Sequence, residues 1–317
     1  MVYMERGLGC KPLAVAFALC CLGASLGMGN MVQGNAMAKG LEHAFHVPPF
    51  VSGVLCTIGV AVVITGGMKR IAGLTEKLVP FMAVLYLGGA IGVLFVFRKE
   101  IPGAFALIFS EAFGLRQAAG GVAGYGVGQA VRMGIARGIF SNEAGLGSSV
   151  MAHAQSDVKE PEIQGMWGIL EIFIDTMVVC TITALVILVS GVYEPEVFQN
   201  HIANGLEAID GTTLTGMAFG RVIPYGEQIL AISTVLFAFA TIVGWSYFGE
   251  QTAYYLGKEK GAQTYRLVYS LLTLPGCMLA PQMIWELSDV LNGMMAIPNL
   301  IALFFLGKQV QYGKRKT

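Results

Sequence analysis

Three polar clusters interrupt otherwise apolar stretches of this 317-residue chain, and they are the places where chemistry could occur. The first is Ser141-Asn142-Glu143, within Phe140–Ser148, with Gly145 and Gly147 beside it. A polar group in an apolar medium costs free energy unless it finds a partner. Two glycines this close disfavour continuous helix. Unwinding would free backbone amides and carbonyls. The half-helix ends could then hold an anion at the positive end and a cation at the negative end. The competing reading is a loop at the edge of the apolar region, which Arg132 and Arg137 upstream favour.

The second cluster closes an apolar run at Gly27-Met28-Gly29-Asn30-Met31-Val32-Gln33-Gly34-Asn35. Asn30 and Gln33 are three apart and share a helix face. They are either site residues or amide links between helices. The third cluster is Thr241 and Trp245, four apart and so on one face. A Thr hydroxyl is a hard oxygen ligand suited to an alkali cation, and Trp offers a flat wall for a small substrate. The plainer reading is Trp packing with Thr bonding back to its own helix. Glu171 and Asp175 also share a face and could bond neighbours, relay protons or hold a cation.

These residues need elements to position them. The chain is 55% hydrophobic and 13% charged, with a mean hydropathy of +0.66. Soluble domains average about 25% charged, so lipid is the solvent that fits. Segments of about 18 to 25 apolar residues cross a bilayer. They fall at 12–38, 49–66, 78–97, 126–152, 163–190, 226–256, 264–281 and 283–306. The fold class is therefore all-α and polytopic. With residue 1 inside, the inner segments take most of the 20 Lys and Arg, among them Arg6, Lys11, Lys69, Arg70, Lys77, Lys159, Lys258 and Lys260. The 191–225 stretch carries only Arg221. This asymmetry predicts both termini on the cytoplasmic side of the plasma membrane and 191–225 outside. Met1–Lys11 is short and polar, and the apolar run after it is too long for the core of a secretory leader.

Several classes are set aside. Net charge is zero, and no basic patch interleaves with aromatics, so nothing points to nucleic acid. Cys10, Cys20, Cys21, Cys56, Cys180 and Cys277 form no CxxC pair and read as packing residues. His43, His46, His153 and His201 share no ligand spacing. No HExxH, GxSxG or phosphate-loop motif is present, so no enzyme and no bound cofactor is expected.

The run Gly134-Ile135-Ala136-Arg137-Gly138-Ile139-Phe140-Ser141-Asn142-Glu143-Ala144-Gly145-Leu146-Gly147-Ser148 resembles the signature of the alanine/glycine:cation (sodium:alanine) symporter family. Gln164–Gly168, Phe173–Thr181, Gly120–Tyr125, Tyr3–Gly9 and Met31–Asn35 also match that family's pattern, so the resemblance covers essentially the whole chain. It implies sodium-coupled symport of a small neutral amino acid, alanine or glycine, with D-alanine, serine and proton coupling left open. It also implies a leucine-transporter-like fold, two inverted repeats of five helices. Residues 1–125 would hold the last three helices of the first repeat plus an external loop. Residues 126–306 would form the complete second repeat, and 307–317 a basic tail. The family's first two core helices would precede Tyr3, so the chain reads as an N-terminally truncated member. A non-transporting remnant or structural membrane subunit is the alternative function. The resemblance places Gln33, Phe140, Ser141, Asn142 and Trp245 around the substrate. It places the Thr241 hydroxyl and the Ala238 backbone carbonyl on sodium.

Overall fold

The computed structural model describes residues 1–113, 123–193 and 211–307, and every regular element among them is helical. Gly120–Val122 of the family-like run, residues 194–210, and the tail beyond Gly307 with Lys308, Lys314, Arg315 and Lys316 lie outside the described residues.

Nine helices carry the fold of the described residues. They are α1 (Lys11–Phe45), α2 (Pro49–Thr65), α3 (Gly67–Val96), α4 (Ile101–Ala112), α5 (Ala123–Asn142), α6 (Pro161–Val189), α7 (Gly211–Gly220), α8 (Gly226–Met278) and α9 (Pro281–Leu306). Proline opens α2, α4, α6 and α9 within their first two positions, where its missing N–H has no helical partner to lose. Wide π turns interrupt α1 at Gly27–Val32 and α6 at Phe173–Cys180. Such turns often fall at functional positions.

The 53 residues of α8 are two antiparallel arms rather than one rod. The backbone leaves helical geometry at Lys258 (φ 55°, ψ −148°). The Tyr269 hydroxyl donates to the Ile242 carbonyl at 2.7 Å, although the residues are 27 apart in sequence. A straight helix would separate them by about 40 Å. Arg266 returns to Glu250 at 2.5 Å, across the same fold-back. The arms coincide with the two predicted segments 226–256 and 264–281.

This hairpin is the centre of the molecule. It packs against α1, α2, α3 and α7, while α9 lies along α1. One core cluster joins Met37, Val60, Ile64, Ala238, Ile242 and Tyr269, all buried. A second joins Phe17, Met28, Leu146, Trp245 and Met295. Polar side chains cross-link the core. Asn30 donates to the Tyr269 carbonyl at 2.7 Å, and Asn35 to those of Gly276 and Leu279 at 3.3 and 2.9 Å. These two asparagines act as links between α1 and the second arm.

The outer surface is apolar. Val84 is 74% exposed and Phe304 80%, with Leu55, Ile91, Phe95 and Phe305 also uncovered. Water tolerates no such belt. Among the described residues, five helices are long and apolar enough to cross a membrane: α1, α3, α6, α8 and α9. The chain is thus a multi-pass membrane protein, helical throughout its described elements.

Two expectations need correction. On length and composition the described residues give five crossing helices rather than eight. The two arms of α8 account for one difference and the 17-residue α2 for another, while α5 lacks the apolar character of a span. The 191–225 stretch is also not simply a loop. It contains α7, which buries Leu214, Ala218 and Phe219 against α8 and α3.

Tyr269 offers a test of the hairpin. Its hydroxyl also lies 3.2 Å from the Gly29 carbonyl, so one proton serves the junction of both arms with α1. Tyr269→Phe keeps the ring and removes that donor. We expect a loss of about 1–2 kcal/mol, read as a lower unfolding temperature in detergent with an unchanged helical spectrum.

Candidate functional site

The site is built around the end of α5. The helix stops at Asn142 because Glu143 turns into the left-handed region (φ 55°). Gly145 (φ 79°) and Gly147 (φ 82°) continue the reversal at positions where only glycine is unstrained. A Cβ at Gly147 would also lie 2.7 Å from Asn299 Oδ1. Local bonds secure the turn. Asn142 Oδ1 accepts from the Ala144 amide at 2.8 Å, and Asn299 Nδ2 donates to the Gly145 carbonyl at 2.8 Å. The chain resumes as a single turn at Val150–His153. The predicted interruption of the 126–152 segment is present at Glu143–Ser149.

Ser141 and Asn142 at the end of α5 and Glu143 of the break each reach another helix. Ser141 Oγ donates to Asp175 Oδ2 at 2.6 Å, in the wide turn of α6. Asn142 Nδ2 donates to Thr176 Oγ1 at 2.9 Å. Glu143 Oε1 accepts from the Trp245 indole N–H at 2.8 Å, and its Oε2 accepts from Ser148 Oγ at 2.6 Å. The break is therefore tied to α6 by a serine and an asparagine and to α8 by a glutamate. A residue such as Glu in the left-handed region costs about 1–2 kcal/mol, which these bonds offset.

Phe140 faces a different neighbour. Its ring lies 4.7 Å from that of Trp285 on α9. The Arg137 guanidinium stands 4.6 Å from the Trp285 ring and 5.3 Å from the Phe140 ring, and pairs with Asp289. Cation–π contact and ion pair together dock α5 onto α9.

Two cavities meet this region. One, of ≈ 250 Å³, is lined by Ser141, Asn142, Glu143, His153, Glu171 and Asp175, among others. The other, of ≈ 380 Å³, lies among α1, α3, α6, α7, α8 and the start of α9. Asn35, Lys39, Tyr86, Thr183, Thr234 and Trp285 help to line it. Phe140 thus abuts a wall residue of the larger cavity, while the next three residues line the smaller one.

The sequence-predicted residues divide into two groups. Phe140, Ser141, Asn142 and Trp245 come together through the break, with Trp245 only 2% exposed and packed in the same cluster as Phe140. Gln33 does not join them. Its amide turns back to the Met28 carbonyl at 3.4 Å, and it lines neither cavity. Thr241 and Ala238 sit one and two turns before Trp245 on α8, with Ala238 in the other core cluster. The Thr241 hydroxyl donates to the Phe237 carbonyl at 3.0 Å, the bond that an ordinary packing Thr makes. Asp175 and Glu143 were visible in sequence without roles. The signal was their acidity inside an apolar segment, which demands a donor. Which donor answers it depends on long-range packing. Among the described residues no three His, Cys, Asp or Glu side chains converge as a metal site.

Comparison with known proteins places this architecture. The sodium:alanine symporter family profile matches residues 1–315. The chain is 40% identical to "Sodium/alanine symporter AgcS" of Methanococcus maripaludis, over 95% of this chain and 64% of that protein. It is 38% identical to an "Uncharacterized transporter" of Haemophilus influenzae, over 98% of this chain and 66% of the relative. It is 37% identical to "Probable sodium/glutamine symporter GlnT" of Bacillus subtilis, over 97% of this chain and 62% of the relative. The chain thus spans somewhat under two thirds of the length of these relatives. It belongs to the sodium:alanine symporter family, a family of transporters rather than enzymes.

Proposed function

We propose that this protein carries a small neutral amino acid, alanine or glycine, across the plasma membrane together with sodium. The observation that supports this most is the helix break at Glu143–Ser149, which opens on the ≈ 250 Å³ cavity and, with the end of α5, is bonded to α6 and α8. A substrate held there would exchange sides when the break segment shifts against its neighbours, as broken helices in transporters do. The smaller cavity, of ≈ 250 Å³, has room for a small amino acid.

On this reading α5, α6, the two arms of α8 and α9 are the five helices of one repeat within residues 126–306. Helices α1–α3 are the last three of an inverted repeat, as in the leucine-transporter fold. Sodium would be held by the Thr241 hydroxyl and the Ala238 carbonyl. The Thr241 proton is used on Phe237, which leaves the oxygen's lone pairs free to accept a cation. Gln33 would enter the substrate shell only by releasing Met28.

Uptake by proteoliposomes decides the matter. Radiolabelled alanine should accumulate under an inward sodium gradient and stop when choline or potassium replaces sodium. Uptake that is equal without sodium would remove the coupling. Orientation has its own test. Pro224→Cys, in the exposed turn between α7 and α8, should react with a membrane-impermeant thiol reagent from outside the cell. Reaction from the cytoplasmic face alone would reverse the topology.

A further inference from the structure

Transport through the break leaves the larger cavity, of ≈ 380 Å³, without a task, yet its lining is chemically specific. Lys39 brings a formal positive charge, and among the described residues no Asp or Glu lines the space. The Lys39 ammonium pairs with Glu42 at 3.7 Å, and the two side chains are 36% and 46% exposed. An exposed pair of this kind is held weakly. The ammonium is therefore available to an anion in the cavity.

The neutral polar groups around it are left as acceptors. Thr183 donates its proton to the Val179 carbonyl at 2.8 Å, so Tyr86, which is bonded to Thr183, must donate in that second bond. The Tyr86 oxygen then has lone pairs to offer. Asn35 spends its amide protons on the Gly276 and Leu279 carbonyls, which leaves its Oδ1 to accept. Among the described residues the Thr234 hydroxyl has no hydrogen-bond partner and can turn to a ligand. Ile187, Leu230 and Trp285 supply an apolar wall. Mostly apolar walls with a few convergent polar groups, at this volume, are the pattern of small-molecule sites. A cation, a set of acceptors and an apolar wall around one space suit a ligand that carries a carboxylate, an ammonium and an apolar side chain.

We propose that this cavity is a second amino-acid site, in which Lys39 takes the carboxylate and the oxygens of Asn35, Tyr86 and Thr234 take the ammonium. The proposal rests on the transport reading for its role. Thr215 of α7 also lines the cavity, and α7 belongs to the stretch placed outside, so the site would receive the amino acid before the break does. The ring contact between Trp285 and Phe140 joins the cavity wall to the end of α5. Sodium has no part in this binding.

Equilibrium dialysis of the purified protein with radiolabelled alanine, in choline and without sodium, tests the site. Saturable binding is expected. Lys39→Met keeps the length of the side chain and removes the charge, and it should weaken binding at least tenfold, as loss of a bond to a charged group does. Lys39→Arg restores the charge and should stay within about threefold of wild type. Thr234→Val should weaken binding several-fold. Propionate, which lacks the ammonium, and ethylamine, which lacks the carboxylate, should compete poorly, because a site built to bond both ends rejects the analogue missing one. No sodium-independent binding, or equal affinity in Lys39→Met and wild type, overturns the proposal. So does competition by propionate or ethylamine as strong as that by unlabelled alanine. Uptake in proteoliposomes separates the two readings. A protein that binds alanine through Lys39 but transports none overturns the transport reading and leaves the site standing. One that transports alanine without Lys39-dependent binding overturns the second site alone.

Discussion

Thr241→Val is expected to raise the sodium concentration for half-maximal alanine uptake by roughly tenfold. Valine matches threonine in shape and removes one oxygen. If that oxygen ligates sodium, its loss resembles an unmet bond to a charge, about 1–3 kcal/mol. Each 1.4 kcal/mol is about tenfold in affinity. Sodium and substrate binding are linked, so apparent alanine affinity at fixed sodium should fall by a similar factor. The Thr241 hydroxyl also donates to Phe237, but that bond is local to one helix, and its loss would leave sodium dependence alone. Sodium titration of uptake therefore separates the two roles. An unchanged sodium curve would make Thr241 a packing residue.

The second large effect lies in the fold. Gly249→Ala should lower the unfolding temperature by roughly 2–12 °C. A Cβ at Gly249 would lie 1.9 Å from Tyr265 Oη and 2.6 Å from Ser25 Oγ. Those two groups are bonded to each other at 3.0 Å, so the methyl would enter the point where α1 meets both arms of α8. Tyr265 is 6% exposed and has no open side to swing toward. Overpacking of a tight core costs about 1–3 kcal/mol, and each kcal/mol is worth roughly 2–4 °C at this size. Gly257→Ala is the control, since nothing lies within 4 Å of its Cβ position. Scanning fluorimetry in detergent compares the two. Equal melting of both variants would contradict the packing of the hairpin.

Much of the architecture was legible because hydropathy acts locally. Apolar length marks the segments, and Lys258-Glu259-Lys260 marks the reversal that splits α8. Gly145 and Gly147 mark the break, since their freedom at positive φ is a property of the residue itself. The positive φ of Glu143 was hidden, because Glu has no preference for it. Tertiary bonds to Trp245 and Ser148 hold it there. Asn30 and Asn35 illustrate the same limit. The sequence left this amide cluster open between a site and a link, and only the positions of the Tyr269, Gly276 and Leu279 carbonyls show these two amides bonded between helices. Helix α7 was missed because ten residues of modest apolar character become helical by packing on α8 and α3, which no local pattern announces.

The central claim is that movement of amino acid and of sodium is one event. Symport is reversible in its coupling, so the test can be run from the substrate side. Vesicles holding the protein should be equilibrated with the same sodium concentration on both faces, including a trace of radiolabelled sodium outside. An inward alanine gradient is then imposed with the membrane potential clamped. The account predicts transient accumulation of labelled sodium, abolished when leucine replaces alanine. Sodium that stays at equilibrium while alanine enters would contradict it.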